Sequence, residues 1–97
     1  MANILLTNEE ILSKVKEGLG ITGTYQDNTL RLYIDEVMGF MLFAGINEAM
    51  IHNSVAVGVI CRGVADLWNY GSGNAQLSEY FKQRVAQLAL SGVTSDE

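Results

Sequence analysis

Ninety-seven residues make one domain and exclude a second. Eleven acidic against six basic residues leave a net charge of −5, so nothing general attracts phosphate and stable nucleic-acid binding is disfavoured. With 48% apolar and only 18% charged residues, the chain carries more apolar surface than a small monomer hides easily, which predicts self-association.

Thr7-Asn8-Glu9-Glu10 reads as a capping box: the Thr7 hydroxyl is spaced for an orphan amide and Glu10 can reach back. Ile11, Leu12, Val15 and Leu19 follow on one helical face, and Gly18 and Gly20 offer left-handed exits. The first helix is therefore expected over about 8–18.

A second helix begins at Asp27 or Asn28. Leu30, Tyr33, Ile34, Val37, Phe40, Met41 and Ala44 cluster on one broad face, and Gly45 closes it. Arg31, Asp35 and Glu36 fall on the other side together with Leu32, Leu42 and Phe43. Three large apolar groups among charges imply either a second packing face, covered by the first or last helix, or a subunit interface. The expected interface residues are Leu32, Leu42 and Phe43.

Asn47 caps a short helical turn over 47–52. From 54 to about 70 nearly every position is apolar, and the β-branched content (Val55, Val57, Val59, Ile60, Val64) favours a strand. Length overrules it: seventeen residues with no turn signal exceed a usual strand, and Arg62 with Asp66 has the i, i+4 spacing of a helix surface. This segment is expected to be a central helix with Ile60 and Val64 buried. Gly71-Ser72-Gly73-Asn74 is a loop. A last helix, about 75–90, turns Leu77, Tyr80, Phe81, Val85, Leu88 and Ala89 inward and Lys82, Gln83, Arg84 and Gln87 outward; 91–97 reads as a flexible tail. The fold class is all-α: a single helical domain over 1–97, four main helices plus a short turn helix, with no sheet. The expected core is Leu30, Val37, Phe40, Ile60, Val64, Trp68, Phe81 and Val85.

The reactive groups are sparse. Gly18-Leu19-Gly20-Ile21-Thr22-Gly23 matches G-x-G-x-x-G, but a helix precedes it, whereas dinucleotide binding needs a strand before the glycines and a helix directly after. His52 is the single histidine and Cys61 the single cysteine, which excludes an internal disulfide and a zinc set. Cys61 in an apolar helix reads as a small hydrophobe. The adjacent pairs Glu9–Glu10 and Asp35–Glu36 diverge around a helix and read as solvated faces. Trp68 and Tyr70 read as packing at the end of the central helix. No catalytic residue, cofactor site or metal site is expected, and no enzyme. Residues 1–6 lack a positive region and hold a three-residue apolar run, and the stretch 55–61 falls far short of a bilayer span, so neither leader nor membrane segment is expected.

Four segments carry a resemblance. Thr7-Asn8-Glu9-Glu10-Ile11-Leu12-Ser13-Lys14-Val15-Lys16, leading to Gly20-Ile21-Thr22; Asp27-Asn28-Thr29-Leu30-Arg31-Leu32-Tyr33-Ile34; 57–70, ending Ala65-Asp66-Leu67-Trp68-Asn69-Tyr70; and Ser78-Glu79-Tyr80-Phe81-Lys82-Gln83-Arg84-Val85 together resemble the small head–tail connector (head-completion, adaptor) proteins of long-tailed bacteriophages over about 7–90. Gly39, Gly58 and Gly63 depart from that family's alanine-rich helices. The resemblance implies a non-enzymatic homo-oligomeric ring, a dodecamer in the virion, docked beneath the portal protein. Such a ring extends the DNA channel and receives the next head-completion or tail protein, with double-stranded DNA passing through without specific binding. It implies a place at the head–tail junction of the virion, and in the host cytoplasm during assembly. Surplus apolar groups suit ring interfaces, and negative charge suits a conduit for DNA. The rival expectation is a small helical regulatory module binding one phage or host protein. A helix-turn-helix DNA binder requires a basic recognition helix, and the last helix holds only Lys82 and Arg84.

Overall fold

The computed structural model describes residues 5–70 and 77–95. It is all-α: α1 (Asn8–Leu19), α2 (Asp27–Phe43), α3 (Glu48–Ile51), a 3₁₀ turn (Ser54–Ala56), α4 (Val57–Tyr70) and α5 (Glu79–Ser95). Among the described residues there is no strand, only an isolated antiparallel bridge between Leu5 and Asn53. The loop expected at 71–74 lies outside the described residues.

The helix ends follow local chemistry. The α1 capping box is complete: the Glu10 amide donates to Thr7 Oγ1 at 3.1 Å and the Thr7 amide to Glu10 Oε1 at 2.8 Å. At its other end Gly20 takes φ 73°, which lets the Ile21 amide reach back to Lys16 O at 2.9 Å and the Gly20 amide to Glu17 O at 3.3 Å. These are the two hydrogen bonds of a Schellman stop. Gly18, also expected as an exit, stays inside the helix. Gly45 at φ 103° repeats the device after α2, where the Ile46 amide donates to Met41 O. Asn47 caps α3 through the Met50 amide, and Asn53 caps the 3₁₀ turn through the Val55 amide.

α4 is the centre of the molecule and packs against α1, α2 and α5. Val59, Ile60, Val64 and Leu67 form its buried stripe and meet Ile11, Leu12 and Val15 of α1, Leu30, Ile34, Val37 and Met41 of α2, and Phe81, Val85 and Leu88 of α5 in one cluster. Gly63 belongs to the same stripe. A Cβ there would stand 2.7 Å from Phe81 Cε1 and 3.0 Å from the Val37 methyls, so the missing side chain is what lets three helices close on one another. Phe40 and Trp68 are half-buried at the margin of this core: the Phe40 ring lies 5.7 Å from that of Phe81, and the Trp68 ring meets Tyr33 edge-on at 6.4 Å.

The structure corrects further sequence expectations. The segment 54–70 is not one α-helix but opens with the 3₁₀ turn, since Asn53 supplies a cap that starts a tighter turn first. The last helix starts at Glu79, not 75, because Ser78 caps it: the Phe81 amide donates to Ser78 Oγ at 3.1 Å. It also runs on to Ser95, where a flexible tail was expected from 91. Tyr80 does not join the inward face: it is 57% exposed, its ring beneath the Arg62 guanidinium 5.5 Å from the centroid.

Candidate functional site: the outer face of α2

α2 has an apolar residue on almost every side, and α4 takes only one of them. Leu30, Ile34, Val37 and Met41 recur at helical spacing and are buried. On the side turned away from α4, Leu32, Gly39 and Phe43 recur at i, i+7 and i+11, with Glu36 between them and Asp35 and Leu42 at one margin. Leu32 is 65%, Leu42 51% and Phe43 92% exposed, so neither α1 nor α5 covers them. A Cβ on Gly39 would touch nothing within 4 Å, so no packing among the described residues requires glycine there. Asp35 and Glu36 are exposed and enter no ion pair among the described residues. The result is a ridge of large apolar groups bordered by carboxylates, held rigid by the packed face beneath it.

Several other ionisable groups are engaged in holding the fold. Lys16 pairs with Asp27 Oδ1 at 2.7 Å in a mostly buried contact and also donates to the carbonyl of Gly23, pinning the α1–α2 turn. Gly20 and Gly23 of the G-x-G-x-x-G match lie in that turn, both at positive φ, with no helix opening until Asp27. Arg31 of α2 grips both oxygens of Glu9 of α1 at 3.1 Å, an exposed pair that contributes little. The ring of His52 lies against Glu48 O and Asn8 Oδ1, both at 3.1 Å, and its carbonyl accepts from the Leu6 amide at 2.7 Å.

Cys61 and His52 form no reactive pair. Cys61 Sγ is the atom nearest to where a Cβ on Gly18 would stand, at 4.0 Å, whereas His52 meets Asn8 at the opposite end of the same helix. Those ends are about 15 Å apart at 1.5 Å per residue. Partial burial and the nearby Glu17 carboxylate push the Cys61 thiol up, against a smaller opposing pull from Lys14, which keeps it a protonated, poor nucleophile near neutral pH. Among the described residues no group of three or more His, Cys, Asp or Glu is arranged to hold a metal ion, and no helix is long and apolar enough to cross a membrane. Among the described residues one shallow groove is lined by Asn8, Glu9, Arg31, Ile34 and Asp35, and another by Leu5, Asn47, Ala49, Met50 and Asn53. Both are small and open, and neither gathers a nucleophile and a base.

A second polar cluster escaped sequence reasoning. Asp66, read as a surface partner of Arg62, is only 5% exposed. One oxygen accepts from the Ser78 amide at 2.9 Å and the other stands 3.8 Å from Arg62 Nε, so the carboxylate ties the end of α4 to the cap of α5. The available signal was register: Asp66 comes seven residues after Val59 and three after Gly63, on the buried stripe of α4. Of the expected core, Leu30, Val37, Ile60, Val64, Phe81 and Val85 are buried and gathered in one cluster, while Leu32, Leu42 and Phe43 stand apart from it on the surface.

No family model matches the chain, and neither a curated protein nor a solved structure matches it.

Proposed function

We propose that this protein is a non-enzymatic structural component of the head–tail junction of a tailed bacteriophage: copies assemble into a ring beneath the portal protein, extend the DNA channel and receive the next head-completion or tail protein. The observation that carries the proposal is the exposed apolar ridge of α2, Leu32, Leu42 and Phe43, on a domain whose core is already complete without it. Exposing these groups together in water is unfavourable, and covering them by association removes that cost. Interface centres favour large aromatic and aliphatic anchors bordered by polar groups, the composition of this ridge. The net charge of −5 supports the same reading, since a wall that repels phosphate lets DNA slide without sticking. The resemblance over 7–90 supplies the portal, the twelve-fold symmetry and the virion location.

Size-exclusion chromatography with light scattering tests the proposal. The wild-type chain is expected to form rings or concentration-dependent oligomers. The double variant Leu32→Asp, Phe43→Asp should keep its helical circular dichroism and its stability within about 0.5 kcal/mol, yet elute as a monomer. A wild-type chain that stays monomeric at every concentration, with or without portal particles, supports a regulatory module instead. Unfolding of the double variant would return these residues to the core.

A further inference from the structure

Building on the ring reading, we infer that the α2 ridge of one copy docks on the α5 face of the next, where Tyr80 and Arg84 project beside Arg62 of α4. The pairing is head-to-tail: two different patches of the same chain meet, rather than one patch meeting itself.

The argument is charge complementarity. Around Leu32 and Phe43 the ridge carries Asp35 and Glu36, which have no cationic partner among the described residues. A ridge that met its own copy across a two-fold axis would bring four carboxylates together, and like charges in close apposition oppose association. The complement is an exposed surface with an apolar anchor and unspent positive charge. Lys16, Arg31 and Lys82 are each paired with a carboxylate, and Lys14 stands one turn from both Glu10 and Glu17 on α1, in acidic surroundings. Arg84 differs. Among the described residues it has no carboxylate partner and bonds only the neutral Gln87, and it sits one turn after the exposed Tyr80. Arg62 covers the Tyr80 ring and shares only a long contact with the buried Asp66, so a second guanidinium faces the same patch. Aromatic and arginine side chains are also the commonest interface anchors.

One chain cannot satisfy itself in this way. The ridge lies on the side of α2 turned away from α4, whereas Tyr80 rests against Arg62 on α4 itself. Two different patches can meet only between copies, and a contact of that type repeats around a ring or along a filament. Gly39, in the middle of the ridge with open space above it, allows the neighbour's side chains to approach the α2 backbone closely.

Charge reversal across the contact tests the inference on the full chain at fixed concentration and low salt. Arg84→Glu alone, and Asp35→Arg with Glu36→Arg alone, should each weaken assembly at least about tenfold. All three together should recover most of the loss, because opposite signs again face each other. A cross-linking arm in a Cys61→Ser background mixes a Leu42→Cys chain with a Gln87→Cys chain and adds a short bismaleimide. The expected product is the mixed 42–87 dimer, and a single chain carrying both cysteines should yield a ladder of covalent multimers. Predominant 42–42 product, or assembly unchanged by Arg84→Glu, overturns the head-to-tail pairing and leaves the ring reading standing. No association and no cross-link at millimolar concentration removes both.

Discussion

Both sides of α2 carry large apolar groups, and they meet opposite fates. Leu30, Ile34, Val37 and Met41 on one side are buried, while Leu32, Leu42 and Phe43 on the other stand in solvent. The difference comes from what lies opposite. α4 presents Gly63 to the inner side, so the Val37 methyls and the Phe81 ring approach its backbone closely, and α1, α4 and α5 seal the space around them. None of the described residues reaches the outer side at Gly39, which has no described atom within 4 Å of its would-be Cβ. α2, about 26 Å long over its 17 residues, lies at the edge of the bundle rather than at its centre as α4 does, so its neighbours enclose one side of it. Apolar content measures how much surface wants covering, and position in the bundle decides which part the chain covers itself.

The largest expected effect falls on the inner side. Phe81 is fully buried, its ring against Phe40 and above Gly63. Phe81→Ala removes the side chain that joins α5 to α2 and α4, and should cost about 3–5 kcal/mol, much of the stability of a domain this small. Urea denaturation followed by circular dichroism measures it. A loss under about 1 kcal/mol would mean that the inner side is not sealed by α5.

Next comes Asp66→Ala, which leaves the Ser78 amide without its acceptor and frees the start of α5 from α4. Losing a hydrogen bond to a charged, buried group should cost about 1.5–3 kcal/mol. Amide hydrogen exchange at 78–81 should quicken more than exchange in α1. Uniform acceleration everywhere would show that the carboxylate supports the whole core rather than this junction.

The glycine at the centre of the inner side gives the next effect. Alanine at a helix-interior position normally gains about 1 kcal/mol over glycine. At Gly63 the new methyl would meet Phe81 at 2.7 Å and Val37 at 3.0 Å, and overpacking of that kind costs about 1–3 kcal/mol. Gly63→Ala should therefore destabilise despite its better propensity. Adding Phe81→Leu should recover part of the loss, since the smaller side chain yields the space.

Much of this architecture could be read in advance because it is local. The Thr7–Glu10 capping box, the left-handed Gly20 and the Asn47 cap each depend on residues within one turn of one another. The two-sided pattern of α2 is a matter of spacing alone. What escaped depends on contacts distant in sequence. Asp66 lies on the buried stripe of α4, but the Ser78 amide that satisfies it is twelve residues on, and an i, i+4 match to Arg62 gave no hint of that partner. Tyr80 was placed inward by spacing, yet the guanidinium of Arg62 provides it a seat at the surface. For the ridge, spacing marked Leu32, Leu42 and Phe43 as a separate group without showing whether α1 or α5 would cross over them.

The smallest effect separates the two sides most cleanly. Gly39 occupies on the outer side of α2 the kind of place Gly63 fills on the inner side: mid-helix, flanked by large apolar residues. Its backbone is ordinary helix, not one of the positive-φ positions, so alanine fits without strain. A Cβ there would meet no atom of the described residues within 4 Å, so no clash among them opposes the gain in propensity and the loss of unfolded-state freedom. Gly39→Ala should stabilise the isolated chain by about 0.5–1 kcal/mol, and its melting temperature at dilute concentration should rise by roughly 2–8 °C. The opposite sign from Gly63→Ala, for the same chemical change, would follow from neighbours alone. A melting temperature that falls would place an unseen contact over Gly39 within the chain. If the outer side is the ring contact, the same variant should be more stable as a monomer and yet assemble less well, because the added methyl occupies the space the next copy needs. Raising the protein concentration then reverses the order of the two melting temperatures, since assembly adds stability to the wild-type chain by mass action and adds less to the variant. An order that holds at every concentration would leave Gly39 outside any interface.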